Sequence, residues 1–153
     1  MAGCQGGEQK LPSPHPRTLK PKEQCMVRVA ASEKAADSGV GVKAGETYRF
    51  STREDAEWRD WRMVRKADGS GAARWYPGYM RMWSPWLLAP GGTAFALYGR
   101  VGEGSPFIIG RGATVCVEQA GTLRLFANDV RGFYWNNYGW IDVTVSRLWS
   151  KKP

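Results

Sequence analysis

The sequence predicts an all-β fold, a sandwich or barrel of short antiparallel strands. Three observations carry that expectation. Several short segments alternate apolar and polar residues with a period of two. Turn-forming residues separate them, with nineteen Gly and nine Pro in 153 residues. No stretch shows apolar residues at helical spacing over three turns.

Taken in order, residues 1–24 read as a flexible tail. They hold Pro12, Pro14, Pro16 and Pro21 among Lys10, Arg17, Lys20 and Lys22, with little to bury. The one histidine, His15, lies there. The domain is expected over 25–148, with a short C-terminal tail at 149–153. Cys25 to Ala31 alternates as a half-buried strand does. Val42 to Glu46 reads as a turn, and Thr47 to Ser51 as a strand with Tyr48 and Phe50 on one face. Residues 52–92 are less regular, hold five Trp among many Arg, and include a short expected strand over Trp61 to Val64. Strands resume at Ala94–Val101, Pro106–Ile109, Ala113–Val117, Gly121–Ala127 and Trp140–Val145.

The chain has a formal charge of +8. Such a surface attracts polyanions, among them nucleic acid, acidic glycans and anionic headgroups, but is also compatible with no partner. Arg59, Arg62, Arg65, Lys66, Arg74 and Arg81 interleave with Trp58, Trp61, Trp75 and Trp83, a pattern that can track a phosphate backbone. No nucleic-acid motif accompanies it, so nucleic acid is not the favoured partner. No apolar run approaches the length of a membrane span. Ala2-Gly3-Cys4 resembles the end of a bacterial lipobox without the hydrophobic segment that precedes one. That leaves a lipid-anchored envelope protein, a secreted one and a chance match open. If Cys4 is set aside, Cys25 and Cys116 are either a disulfide or two thiols.

Enzyme chemistry finds little support. Outside the tail there is no His to act as a general base. Glu54, Asp55, Glu57 and Asp60 offer paired carboxylates of the kind glycosidases use, but read as a solvated charge run. Gly39, Gly41 and Gly45 have the wrong spacing for a dinucleotide loop.

The chemistry concentrates between the last two strands, in Asn128 to Gly139. Asp129, Asn136 and Asn137 supply hard oxygen donors, which suit a calcium ion that takes six to eight of them. The same residue types also suit an ordinary β-turn. The run Asn128-Asp129-Val130-x-Gly132-x-Tyr134-x-Asn136-Asn137-x-Gly139 resembles the calcium- and galactose-binding loop of the PA-IL-like bacterial lectins, in which two Asn follow the Asp seven and eight places on. Val42 to Phe50, Trp58-x-x-Trp61, Leu88 to Gly102 and Pro106 to Gly110 are similar in order to flanking segments of that family.

The resemblance covers about residues 26–146. It implies a jelly-roll-like antiparallel β-sandwich, calcium held by Asp129, Asn136 and Asn137 with the main-chain carbonyls of Phe133 and Trp61, and a hexose beside Asp129, Val130 and Asn136. It implies a glycan partner, galactose-like or acidic, and allows a homo-oligomer. Three departures stand out. Arg131 replaces a Pro, Trp135 replaces a Gly, and Met82-Trp83-Ser84-Pro85-Trp86 occupies the stretch where the lectins place sugar-binding polar residues. Trp135 is therefore either a stacking face for the sugar or an obstruction, strained if its position demands positive φ. The expected function is a calcium-dependent carbohydrate-binding module. The alternatives are a calcium-stapled structural domain of the envelope and a polyanion binder.

Overall fold

The computed structural model describes residues 16–149. Twelve strands form, in chain order: β1 Arg17–Thr18, β2 Gln24–Ala30, β3 Ala36–Val42, β4 Thr47–Ser51, β5 Glu57–Asp60, β6 Met63–Lys66, β7 Leu97–Val101, β8 Phe107–Ile108, β9 Gly112–Cys116, β10 Gly121–Ala127, β11 Asn137–Tyr138 and β12 Trp140–Arg147. One short helix, α1 Tyr76–Arg81, and two 3-10 turns, Ser84–Trp86 and Tyr134–Asn136, interrupt them.

A five-stranded sheet runs in the order β1-β3-β10-β7-β8, and a four-stranded sheet in the order β2-β12-β4-β9. All pairings are antiparallel except β1 with β3. The two sheets close on one core. Val27, Val29, Tyr48, Phe50, Val143 and Val145 come from the four-stranded sheet, and Val40, Val42, Leu97, Leu123 and Leu125 from the other. The inward positions alternate with exposed ones along β2 and β4, as a strand with one wet face requires. The architecture is thus the expected all-β sandwich.

A third, three-stranded sheet runs in the order β11-β5-β6. The single strand expected over Trp61 to Val64 is instead a hairpin. Asp60 pairs with Met63, and Trp61 and Arg62 form the turn. Trp61 has φ of 55°, a conformation that bulky residues rarely adopt. Its N–H donates to the Asn136 carbonyl at 3.0 Å, which ties the turn to the loop before β11.

Two further differences concern boundaries. The fold begins ahead of Cys25: β1 adds a parallel edge to β3, and Leu19 is fully buried. Two ladder positions are too few to show as periodicity. Residues 36–42 form β3, whose inward-outward alternation is hidden in the sequence by the small residues Ser38 and Gly41, and Val42, expected to open a turn, is its last residue. Cys25 and Cys116 lie on the two edge strands of the four-stranded sheet. Cys116 is an exposed free thiol whereas Cys25 is disulfide-bonded, so the two are not joined to each other. Cys4, His15 and the rest of 1–15 and 150–153 fall outside the described residues.

Candidate functional site

The loop between β10 and β12 is built on buried polar contacts. Asn128 is fully buried, and its side chain faces the 83–95 segment. Its Oδ1 accepts the Ala89 N–H at 2.8 Å, and its Nδ2 donates to the Ala89 and Thr93 carbonyls at 3.2 and 3.1 Å. The Asp129 carbonyl accepts the Leu88 N–H, and Arg131 N–H donates to Trp86. These bonds hold Trp83 and Trp86 against the loop. Asn128 is consumed by this task and offers nothing to a ligand.

Asp129 is almost entirely buried, with 2 % of its surface exposed. Its Oδ1 accepts the Val130 N–H at 2.7 Å and its Oδ2 accepts Asn137 Nδ2 at 2.9 Å. Tyr134, in the 3-10 turn, receives the Asp129 N–H on its hydroxyl and donates to the Ala127 carbonyl. That turn brings Asn136 and Asn137 back beside Asp129, which explains why a spacing of seven and eight residues works. Asn137 Nδ2 also donates to the Ala31 carbonyl at 3.1 Å. Asn137 Oδ1 and Asn136 Oδ1 are buried with no hydrogen-bond partner. Buried polar atoms are normally satisfied, and an orphaned oxygen costs about 1–3 kcal/mol.

A second carboxylate joins them. β11 pairs with β5, with Asn137 opposite Asp60. Asp60 lies on the same strand face as the buried Trp58, so it points inward while Glu57 and Arg59 point out. Reading Asp60 as part of a solvated run is therefore wrong; Glu54, Asp55 and Glu57 are exposed as expected. Asp60 accepts the Tyr76 hydroxyl at 2.5 Å. Behind that pair, Arg65 is buried with its guanidinium 3.7 Å from the Tyr76 ring centre. Burial raises the Asp60 pKa, and the Tyr76 hydroxyl and Arg65 charge pull it back. Burial, with the Asp60 charge next in importance, pushes Asp129 up to about 6.

Asp60, Asp129 and Asn136 line a cavity of about 160 Å³. Tyr79, Met80, Trp83, Val130 and Phe133 line the remainder. Of the residues singled out by sequence, Asp129, Val130, Phe133 and Asn136 thus meet in one place. Asn137 sits directly behind them. Trp61 is bonded to the Asn136 backbone and turns its side chain to solvent, 55 % exposed. Trp135 does not line the cavity. It is 77 % exposed, and its φ is not positive, so it is neither strained nor an obstruction. Asp60 was missed as a site residue. The signal was present in the alternation Glu57-Trp58-Arg59-Asp60, which puts Asp60 on the side of the buried Trp.

The donor set fits a hard cation. The buried carboxylate of Asp129, the half-buried one of Asp60 and two unpartnered amide oxygens would each be relieved by one ion that prefers oxygen ligands. Among the described residues no three His, Cys, Asp or Glu gather as a metal-ligand group, and amide oxygens make up half of this donor set. The basic-aromatic pattern is less coherent. Arg65 and Trp58 are buried, so neither can meet a polyanion.

No protein-family model and no curated protein matches this chain. Among solved structures, one described as the EclA N-terminal domain, a PllA-like lectin, shares its fold. The TM-score is 0.59 over 80 % of this chain and 94 % of that one, at 23 % sequence identity. The β-sandwich implied by the loop resemblance is therefore the fold observed.

Proposed function

We propose that this chain is a calcium-dependent carbohydrate-binding module and not an enzyme. The observation that carries the reading is the pair of buried, orphaned amide oxygens, Asn136 Oδ1 and Asn137 Oδ1, on two residues that flank Asp129, one lining the same cavity and the other hydrogen-bonded to its carboxylate. Calcium would be held by Asp129, Asn136 and Asn137, with the carbonyls of Phe133 and Trp61. Those ligands do not fill a shell of six to eight oxygens with formal charge to spare, so hydroxyls of a bound sugar complete it. The calcium supplies an anchor for a vicinal diol. The chain's own residues shape the rest: Asn128 holds the Trp83 segment against the loop, and Tyr134 fixes the turn that presents the two Asn.

The fold shared with a lectin domain is consistent with this reading. No helix among the described residues is long and apolar enough to cross a membrane. The test is calcium binding by Asp129→Ala. The variant is expected to lose calcium affinity and, with it, retention on immobilised glycans. Wild-type affinity in the variant would remove Asp129, and with it the site. Calcium-raised thermal stability without binding to any glycan on an array would instead favour a calcium-stapled structural domain.

A further inference from the structure

The strands that bring Asp60 and Asn137 to the cavity present different residues on their other face. Along β5 and β11, Asp60 and Asn137 turn inward, whereas Arg59 and Tyr138 are exposed and stand opposite each other across the ladder. Cross-strand partners of this kind project side by side. With Glu57, and with Trp61 and Arg62 of the β5–β6 turn, they line a groove of about 520 Å³. Among the described residues, the groove and the cavity at Asp129 share no lining residue.

Aromatic rings and unpaired cations meet in this groove. Trp61 and Tyr138 are each more than half exposed. The Arg62 guanidinium lies over the Trp61 ring, 4.9 Å from its centre, a cation–π contact that orders both side chains. Neither Arg59 nor Arg62 forms an ion pair among the described residues, although Arg28, Arg53, Arg111 and Arg147 each do. A charged sugar suits this combination. The C–H bonds on the apolar face of its ring pack on aromatic rings, and a carboxylate or sulfate on it meets the planar N–H fork of arginine. Glu57, exposed in the same groove, can accept sugar hydroxyls. It would repel a strand that carries a phosphate at every nucleotide, which favours a saccharide over nucleic acid. We propose that this groove is a second, calcium-independent site that binds anionic saccharides, carboxylated or sulfated.

The experiment uses the full chain in chelator, so that calcium plays no part. Trigalacturonate supplies carboxylates and a carrageenan oligosaccharide supplies sulfates, and each is titrated by calorimetry beside a single-stranded oligonucleotide of similar charge. At least one of the two charged sugars is expected to bind, and the tighter of them identifies the anion. Its uncharged counterpart, the methyl ester or the desulfated sugar, is expected to bind about tenfold more weakly. Arg59→Ala and Arg62→Ala remove exposed side chains and should leave Tm unchanged. Each should weaken binding about two- to fivefold, and the double variant about tenfold. Equal binding of the uncharged counterpart, or full affinity in the double variant, would overturn the proposal. So would tighter binding of the oligonucleotide, sugar binding that appears only when calcium is restored, or no binding of either charged sugar.

Discussion

Replacing Asp60 by Asn should move two properties in opposite directions. The half-buried Asp60 and the buried Asp129 line one cavity, and the Asp60 charge is the second cause, after burial, of the rise in Asp129 pKa to about 6. One pKa unit corresponds to about 1.4 kcal/mol, so the repulsion between them is worth on the order of 1 kcal/mol in the metal-free protein. Asp60→Asn removes that repulsion, and with it the attraction of Arg65, the least of the three influences on Asp60. The new amide oxygen can still accept the Tyr76 hydroxyl, which in the wild type donates to Asp60 at 2.5 Å. For a chain of this size, 1 kcal/mol shifts Tm by about 2–4 °C. The metal-free variant should therefore melt about 2–4 °C above the metal-free wild type. Calcium acts the other way. At a hundred times its Kd an ion stabilises the fold by about 2.7 kcal/mol, or roughly 5–10 °C here. Losing a negative charge beside the ion should weaken binding about tenfold or more, which removes about 1.4 kcal/mol of that gain. Differential scanning calorimetry in chelator and in calcium reads both effects. A variant that melts well below the wild type in chelator, with an undiminished calcium response, would refute the reasoning.

Other consequences concern the frame of the site. Asn128→Ala deletes three side-chain hydrogen bonds to Ala89 and Thr93 from a fully buried position, and should cost about 2–4 kcal/mol by equilibrium unfolding. It should also alter Trp fluorescence, since it frees the segment carrying Trp83 and Trp86. Glu46 is buried at the foot of β4, where it accepts the Tyr48 hydroxyl at 2.6 Å and the Lys43 N–H at 2.9 Å and pairs with Arg147 at 3.1 Å. Burial raises its pKa, but Tyr48, Lys43 and Arg147 outweigh it, and the carboxyl stays ionised below its ordinary range. A depressed folded pKa contributes stability above the unfolded carboxylate range and loses it as pH falls through the folded value. Glu46→Gln should lower stability at neutral pH by about 1–3 kcal/mol and flatten the loss between neutral and acid pH in denaturant titrations.

Much of the fold was legible because strands such as β4 begin and end where their alternation does. The loop was legible for a different reason. Asp129, Asn136 and Asn137 are near in sequence, and a 3-10 turn of three residues is enough to fold them onto one another. What was hidden depended on partners far along the chain. Asp60 becomes a site residue only because β5 pairs with β11, placing it opposite Asn137. Arg65, among the most basic-looking residues of a charged segment, is buried under Tyr76, a contact made by a helix of six residues too short to show a period. Trp135 stands in the motif but points to solvent, because the turn that aims Asn136 inward aims its neighbour outward.

In the proposed function the orphaned oxygens around Asp129 hold calcium, and calcium holds a sugar. The most direct measurement is a calorimetric titration of the metal-stripped protein with calcium, followed by simple glycosides on the loaded sample. Saturable calcium binding at one site per chain, absent in Asp129→Ala, is expected, with binding of these uncharged sugars that appears only after calcium. Heat-silent calcium addition with no change in Tm would contradict it, and the loop would then be a turn whose buried amides are met in some other way.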